Sequence, residues 1–344
     1  MLTRKKIEST RQGEMSIASS LLLTAAKKLG LEVEVYNDDI LKIHHGDHEQ
    51  MFQNTFLPGV DIVASRVASN KLFVEEFFRK NSIHTPESMF LTQRDQWRKV
   101  LDSDLEFPLV VKPNKASHGH GGTVNLTTEQ ELKSAINRAF DYNKRTKRGN
   151  GKVLIQEYFP GEELRFFVIG DRVMAIAERE PASVTGNNVD TVEEIIQKHN
   201  QEWEKRPGEI YGLPVCEIPI DMETRRVLQL SGNDYSTILP LGKKVFIRCN
   251  SNVSTGGRAI DVTNRIGPKR KAIAIKCAEL LGVEIAGVDA IVKDIDNDDV
   301  DDFVVLEVNS TPGFDIHVFP WEGESRDVAE DILRHVFSQE LATT

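Results

Sequence analysis

The chain has 344 residues, a net charge of −10 at pH 7, 40% hydrophobic residues and 28% charged ones. That is the make-up of a globular protein long enough for about two domains or subdomains, and its acidic balance excludes a nucleic-acid surface as the main business. No apolar stretch reaches the length of a membrane span. The cysteines Cys216, Cys249 and Cys277 are scattered and odd in number, without metal-type spacing or a disulfide framework, which fits a reducing cytoplasm.

In chain order, residues 17–26 (IASSLLLTAA) follow a basic start like a weak signal peptide. Glu8 and Glu14 before them and Lys27-Lys28 after them favour an amphipathic helix with Ile17, Leu21, Ala25 and Leu29 on one stripe. Residues 31–36 (LEVEVY) alternate as a strand. The polar passage with His44, His45 and His48 lacks a spaced partner cluster, so it reads as a hairpin or loop near a binding cleft and not as a metal site. Asn70-Lys71 opens a helix that ends before Thr85-Pro86. Residues 1–85 thus form an N-terminal αβ unit, and a second unit spans 86–344.

That second unit begins with a strand at 107–113 (FPLVVKP), the glycine-containing loop 114–122 (NKASHGHGG), a strand at 123–126 and a helix from 129 capped by Thr128. A solvated basic loop, 144–152, precedes a strand at 153–159 stopped by Pro160-Gly161. Residues 164–169 and 172–177 read as a hairpin turned at Gly170-Asp171. Thr191 and Glu194 form a capping box for a helix at 191–204. Helices follow at 222–232 and 268–281, the latter with Pro268 in its first turn. A strand at 283–293 carries Asp289. The acidic run 294–302 (DIDNDDVDD) reads as a solvated hairpin turn, a strand covers 303–308, and a helix at 325–337 closes the chain. There are no internal repeats and no low-complexity tracts.

Glu307 and Asn309 are two apart, so on a strand they share a face. If the strands flanking the acidic run pair, Asp289 joins them, and three oxygen ligands converge. Such a carboxylate cluster is expensive without cations; two Mg²⁺ ions bridging it to a triphosphate would neutralise it. The phosphate half of such a site is expected at Lys71 and Lys112, together with Gly119, Gly121 and Gly122, whose backbone can turn amides toward an anion. The loop is neither a Walker A sequence nor a dinucleotide fingerprint. Residues 250–257 (NSNVSTGG), entered past Arg248, make a second polar, glycine-rich loop.

These residues resemble the ATP-grasp superfamily, and more narrowly the ATP-grasp portion of cyanophycin synthetase and of bifunctional glutathione synthetase. The matching stretches are ASNK (68–71), VVKPNKASHGHGGTVNL (110–126), PGEELRFFVIGDRVMAIAEREPASVTG (160–186), NSNVSTGGRAIDVT (250–263), AGVDA (286–290) and LEVNSTPGFDIHVFPWEGESRDVAEDIL (306–333). The resemblance implies an α+β / α/β ATP-grasp fold. Its parts would be the N-terminal αβ subdomain, a lid-like central subdomain at about 107–160 and a C-terminal catalytic subdomain at about 161–344. It implies that Lys71 and Lys112 contact ATP phosphates, with Ser117, His118, Gly119, Gly121 and Gly122 closing over them. Gln156, Glu157, Tyr158 and Phe159 would form the adenine hinge and Glu163 would hold the ribose. Asp289, Glu307 and Asn309 would bind two Mg²⁺, with Mn²⁺ as a substitute. Arg165, Arg179 and Arg248 would receive an acidic substrate or its acyl phosphate, with Asn252 and Ser254 lining the reacting end beside Thr255 and Gly256.

Departures from the family pattern are Asn187-Asn188 after Gly186, where Asp-Gly is usual, and Arg258, where relatives often have a small or acidic residue. No G-x-x-x-x-G-K-[ST] sequence is present, so a second, P-loop ligase domain like that of cyanophycin synthetase is not expected here. The expected function is a stand-alone ATP-dependent carboxylate–amine ligase of the cytoplasm. It would act on amino acids or short peptides through an acyl phosphate, without nucleic-acid or membrane partners, as a homodimer or homotetramer. The alternatives are a ligase modifying a protein or peptide chain, a kinase releasing a stable phosphorylated product, and a non-catalytic nucleotide-binding regulatory protein.

Overall fold

The computed structural model describes residues 4–13, 15–36, 39–114, 121–146, 151–203 and 215–338. A five-stranded antiparallel sheet runs in the order Arg258–Asp261, Arg172–Glu180, Glu162–Ile169, Ile285–Val292, Val304–Asn309. Strand alternation divides its residues between two faces. Leu164, Phe166, Val168, Ile176, Val288 and Ala290 pack into one cluster with Ala274, Cys277, Ala278 and Leu281 of helix Pro268–Leu281. The opposite face carries Glu163, Arg165, Arg179 and Asp289. The hairpin expected at Gly170-Asp171 is formed by Glu162–Ile169 and Arg172–Glu180.

A four-stranded sheet, in the order Ser88–Leu91, Val153–Glu157, Leu109–Pro113, Thr123–Leu126, packs under helix Glu129–Thr146 through Leu132, Ala135, Ile136 and Ala139. Helix Lys71–Lys80 precedes both sheets in sequence and contacts both, as described below. Residues 183–247 add a short strand pair, Ser183–Thr185 with Lys244–Phe246, and helices Val192–Trp203 and Met222–Leu230 around a separate apolar cluster. The capping box at its first helix is present: Thr191 N donates to Glu194 and Glu194 N to Thr191 Oγ1.

The N-terminal residues form a three-stranded meander, Glu32–Val35, Ile40–His45 and His48–Gln53. The histidine-containing passage is thus a hairpin. Its Leu41, Ile43 and Phe52 are buried in a cluster with Phe167 and Phe314, while alternate positions stay polar. Helix Ile17–Lys28 corrects an expectation. It is buried far beyond one stripe, with Ala18, Ser19, Ser20, Leu22, Leu23 and Ala26 buried as well as Ile17, Leu21 and Ala25. The reason is that the helix is covered from more than one side: Ile332 and Leu333 of helix Val328–Val336 share its cluster with the meander's Leu41 and Ile43.

The acidic run is a hairpin turn, but not simply a solvated one. Arg270, fully buried, donates to the carbonyls of Asp299 (3.0 Å) and Asp294 (2.8 Å) and to Asp302 Oδ1 (2.7 Å). Asp298 accepts from the backbone amides of Lys269 and Arg270 at the start of the same helix. The turn's carboxylates and carbonyls are therefore used to hold helix Pro268–Leu281 against the sheet. Among the described residues, no helix is long and apolar enough to cross a membrane.

Candidate active site

Asp289 and Glu307 are directly opposite each other on adjacent antiparallel strands. The register shifts between Asp289 and Ala290, whose partner is Val305. A bulge at this place bends the strand locally and re-aims the carboxylates, a common device beside sites. Asn309 follows on the same face, its Nδ2 3.4 Å from Glu307 Oε1 and 3.5 Å from Asp289 Oδ2. The three residues expected to converge therefore do so. Gly287 is needed one position earlier on that face, since a Cβ there would lie 2.8 Å from Pro312 Cβ and 3.2 Å from Arg165 Cδ.

Each carboxylate has a cation beside it. Arg165, the register partner of Asp289 on the other side, donates to it through Nε and, at 2.9 Å, Nη2. Arg179 bridges Asp289 Oδ2 (2.9 Å) and Glu163. Lys71, brought in by the first turn of helix Lys71–Lys80, donates to Glu307. Glu163, expected at the ribose, also accepts from Ser251 Oγ. Three carboxylates, Glu163, Asp289 and Glu307, thus face Lys71, Arg165 and Arg179 in a closed charge network.

The electrostatics follow from burial and these pairings. Asp289 is 1% exposed, and burial pushes its carboxyl up even though Arg165 and Arg179 oppose the shift. The Lys71 ammonium beside Glu307 holds that carboxyl well below the usual range, against burial. Burial lowers Lys71, but Glu307, Asp289 and Glu75 more than offset it and leave the ammonium raised. Lys112, on strand Leu109–Pro113, is pushed down by burial and by the neighbouring Lys71. Two cations thus share a small space, which is a favourable setting for a polyphosphate.

The remaining expected residues fall into place unevenly. Ser117, His118 and Gly119 lie outside the described residues. Gly121 has a φ of +72° and sits where a Cβ would lie 2.9 Å from Tyr142 Cγ; Gly122 follows it into strand Thr123–Leu126. In the hinge stretch, the amide of Glu157 donates to Glu87 O and that of Tyr158 to Pro108 O, both at 3.1 Å. Two of the amides in the expected adenine hinge are therefore engaged within the protein. Phe159 meets the His84 ring edge-on at 5.7 Å. Gln156 is buried, with its side chain turned to Glu75.

Arg248 is 6% exposed and forked onto Asp221, Nη1 to Oδ1 at 2.8 Å and Nη2 to Oδ2 at 3.1 Å. Asp221 also caps helix Met222–Leu230 by accepting from Thr224 N. Asn252 begins a single 3₁₀ turn, Val253–Thr255, its carbonyl accepting from Thr255 N and Gly257 N, and Ser254 is exposed. The turn ends at Gly256, φ +83°. Sequence reasoning missed Glu75, Ser88, Asp221 and Ser251 as partners. Glu75 had a signal: it stands four residues after Lys71 on a helix whose buried positions include Val74 and Phe78.

The donor set fits Mg²⁺. Asp289, Glu307 and the Asn309 amide are hard oxygen donors, and Mg²⁺ is commonly held by one or two carboxylates plus phosphate oxygens. The Asn309 amide can present oxygen after a flip. Among the described residues, no three His, Cys, Asp or Glu side chains gather as a complete metal cage.

The RimK-like ATP-grasp domain model matches residues 68–191 and 240–333, well over half the chain. Cyanophycin synthetase from Geminocystis herdmanii is 31% identical over 87% of this chain and 33% of its own length. The glutathione biosynthesis bifunctional protein GshAB from Clostridium perfringens is 29% identical over 94% of this chain and 41% of its own. The crystal structure of a bifunctional glutathione synthetase from Pasteurella multocida superposes with a TM-score of 0.66 at 24% identity, over 94% of this chain and 44% of that one. The chain spans roughly a third to two-fifths of the length of these curated relatives.

Proposed function

This chain belongs to the RimK-like ATP-grasp family, and on that premise we propose that it is an ATP-dependent carboxylate–amine ligase. The observation that carries the reading is the in-register meeting of Asp289 and Glu307, with Asn309 beside them and Lys71 delivered onto Glu307 from a helix 236 residues away. Lys71 and Lys112 hold the phosphates of ATP. Asp289, Glu307 and Asn309 would hold Mg²⁺, which when bound would supply charge stabilisation to the transferred phosphoryl group.

A substrate carboxylate oxygen attacks the γ-phosphorus, and the bond from that phosphorus to the ADP oxygen breaks. The resulting acyl phosphate is attacked at its carbonyl carbon by an amine. Phosphate leaves with the bonding pair, and the amine nitrogen gives up its proton. No side-chain nucleophile is needed; the chain supplies position and charge. Arg165 and Arg179, already set on Asp289 and Glu163, are placed to hold those carboxylates in register and to meet anionic oxygens by bidentate geometry. Arg248, fixed by Asp221, and the turn at Asn252 and Ser254 line the acceptor end. The reading divides the chain into an N-terminal unit to about residue 85, a lid unit at about 107–160, whose sheet also takes in strand Ser88–Leu91, and a catalytic unit from about 161.

One of the similar relatives is a glutathione biosynthesis protein, and glutathione is a short peptide. That supports amino acids or short peptides as substrates here. The test is ADP and phosphate release with Mg²⁺ across pools of amino acids and dipeptides, with mass spectrometry of products. A pool that stimulates release and gives a product one water lighter than two of its components supports the reading. Bound ATP with no stimulation by any small molecule shifts the acceptor to a protein or peptide chain. A chain that binds no ATP contradicts the site.

A further inference from the structure

We propose that Glu75 is a positioning residue for the nucleotide site, locking the helix that carries Lys71 to the strand that enters the hinge. The inference rests on the nucleotide reading above. Glu75 is one turn beyond Lys71 on helix Lys71–Lys80 and is 1% exposed. Its Oε1 accepts from Gln156 Nε2 at 2.6 Å, and its Oε2 accepts from the Ser88 hydroxyl. Ser88 and Gln156 are themselves register partners on neighbouring strands of the four-stranded sheet. One carboxylate therefore grips both strands at the point where Val153–Glu157 runs out into residues 158 and 159.

The same helix reaches the other sheet through Lys71 and Glu307. Residues 71 and 75, adjacent on one helix face, are thus bonded to the five-stranded and the four-stranded sheet respectively. Val110 is opposite Gln156, and Lys112, two residues on, shares the face of Val110. Burial pushes the Glu75 carboxyl up, and the Ser88 bond together with Lys112, Arg79 and Lys71 opposes that shift. A residue needed only to glue helix to sheet would do so more cheaply as an apolar side chain, because burying a carboxylate is unfavourable unless its bonds and charge are used. Here they are used on Gln156, on Ser88 and on the two lysines assigned to phosphate. Glu75 sets the spacing between Lys71 and Lys112 and the angle of the hinge strand, without touching the nucleotide.

The experiment is calorimetric titration of the full chain with MgATP, alongside thermal melting, for the wild type, Glu75→Gln, Ser88→Ala and the exchange variant Glu75→Gln/Gln156→Glu. The glutamine keeps the shape and removes the charge. Loss of a charge-assisted bond of this kind predicts about tenfold weaker MgATP binding in Glu75→Gln. The exchange restores one carboxylate and one amide in the same contact, and predicts recovery to within about threefold of the wild type. A merely structural Glu75 moves the melting temperature and leaves the affinity of the folded protein unchanged, which overturns the inference. So does an exchange variant no better than Glu75→Gln. If Glu75→Gln does not fold, Ser88→Ala decides: a two- to threefold weaker affinity at an unchanged melting temperature, about half a kcal/mol, supports the inference, and wild-type affinity overturns it. A wild-type chain that fails to bind MgATP overturns the nucleotide reading instead, a result distinct from any of these.

Discussion

Lys71 and Glu307 are bonded across 236 residues of sequence, one at the start of a helix and the other near the end of a strand. The pair joins two chemistries that the ligase reading needs together, a cation for phosphate and a carboxylate for metal. With Arg165 and Arg179 on Asp289, it also explains how three carboxylates remain in one half-buried cluster without unfolding the sheet.

Glu307→Gln and Asp289→Asn are expected to lower MgATP-dependent ADP release by on the order of a hundredfold or more, since each removes a hard ligand and leaves a buried cation without its partner. ADP release at saturating Mg²⁺ measures this. Chelation by EDTA is expected to stop wild-type release, and added Mg²⁺ to restore it. Unchanged turnover in either variant argues that the cluster is only structural.

Arg270 is expected to be a stability residue and not a site residue. It is fully buried and satisfies two carbonyls and Asp302 of the acidic turn. Arg270→Met leaves those acceptors without their donor, and a loss of about 3 kcal/mol is expected. Urea melts followed by circular dichroism read it; a loss below about 0.5 kcal/mol contradicts the clamp.

Gly256 closes the turn after Asn252 in the left-handed region, and a Cβ there would lie 2.3 Å from Ile218 Cγ1. Gly256→Ala therefore combines backbone strain with overpacking, and about 2 kcal/mol or more of destabilisation is expected. Because the turn carries Asn252 and Ser254, KM for the acceptor is expected to rise as well. Thermal melts and steady-state kinetics separate the two effects.

His317 is 2% exposed, and its Nε2 has no hydrogen-bond partner among the described residues. Burial, aided by Arg165, pushes its pKa down from 6.5 to about 3. The unfolded chain binds a proton below pH 6.5 that the native state refuses, so stability falls with falling pH. The contribution is complete above pH 6.5 and is lost progressively toward pH 3. Melting temperatures between pH 7 and pH 4.5 are expected to fall less steeply in His317→Gln than in the wild type. Parallel slopes contradict the assignment.

Local signals were the readily legible ones. The capping box at Thr191 and Glu194, the hairpin at Gly170-Asp171 and the pairing of the strands carrying Asp289 and Glu307 all follow from patterns within a few residues or across one short turn. The convergence of Asp289, Glu307 and Asn309 was legible for that reason. Partnerships between distant segments were not. Nothing near Glu75 in sequence names Gln156 or Ser88, and nothing near Arg248 names Asp221 as its fork partner. Helix Ile17–Lys28 looked one-sided because its serines and alanines are small enough to be buried without being strongly apolar. The acidic turn looked solvated because its partner, Arg270, lies on a helix that precedes it.

The central claim is that ATP activates a carboxylate by phosphorylating it. The most direct measurement uses a substrate labelled with oxygen-18 in its carboxylate, once the pools have identified it, and mass spectrometry of the phosphate released. The account predicts one labelled oxygen in the phosphate for each amide formed, because the carboxylate oxygen that attacks the γ-phosphorus leaves with it. Amide formation with unlabelled phosphate would contradict an acyl phosphate and, with it, the proposed use of the Lys71, Asp289 and Glu307 site.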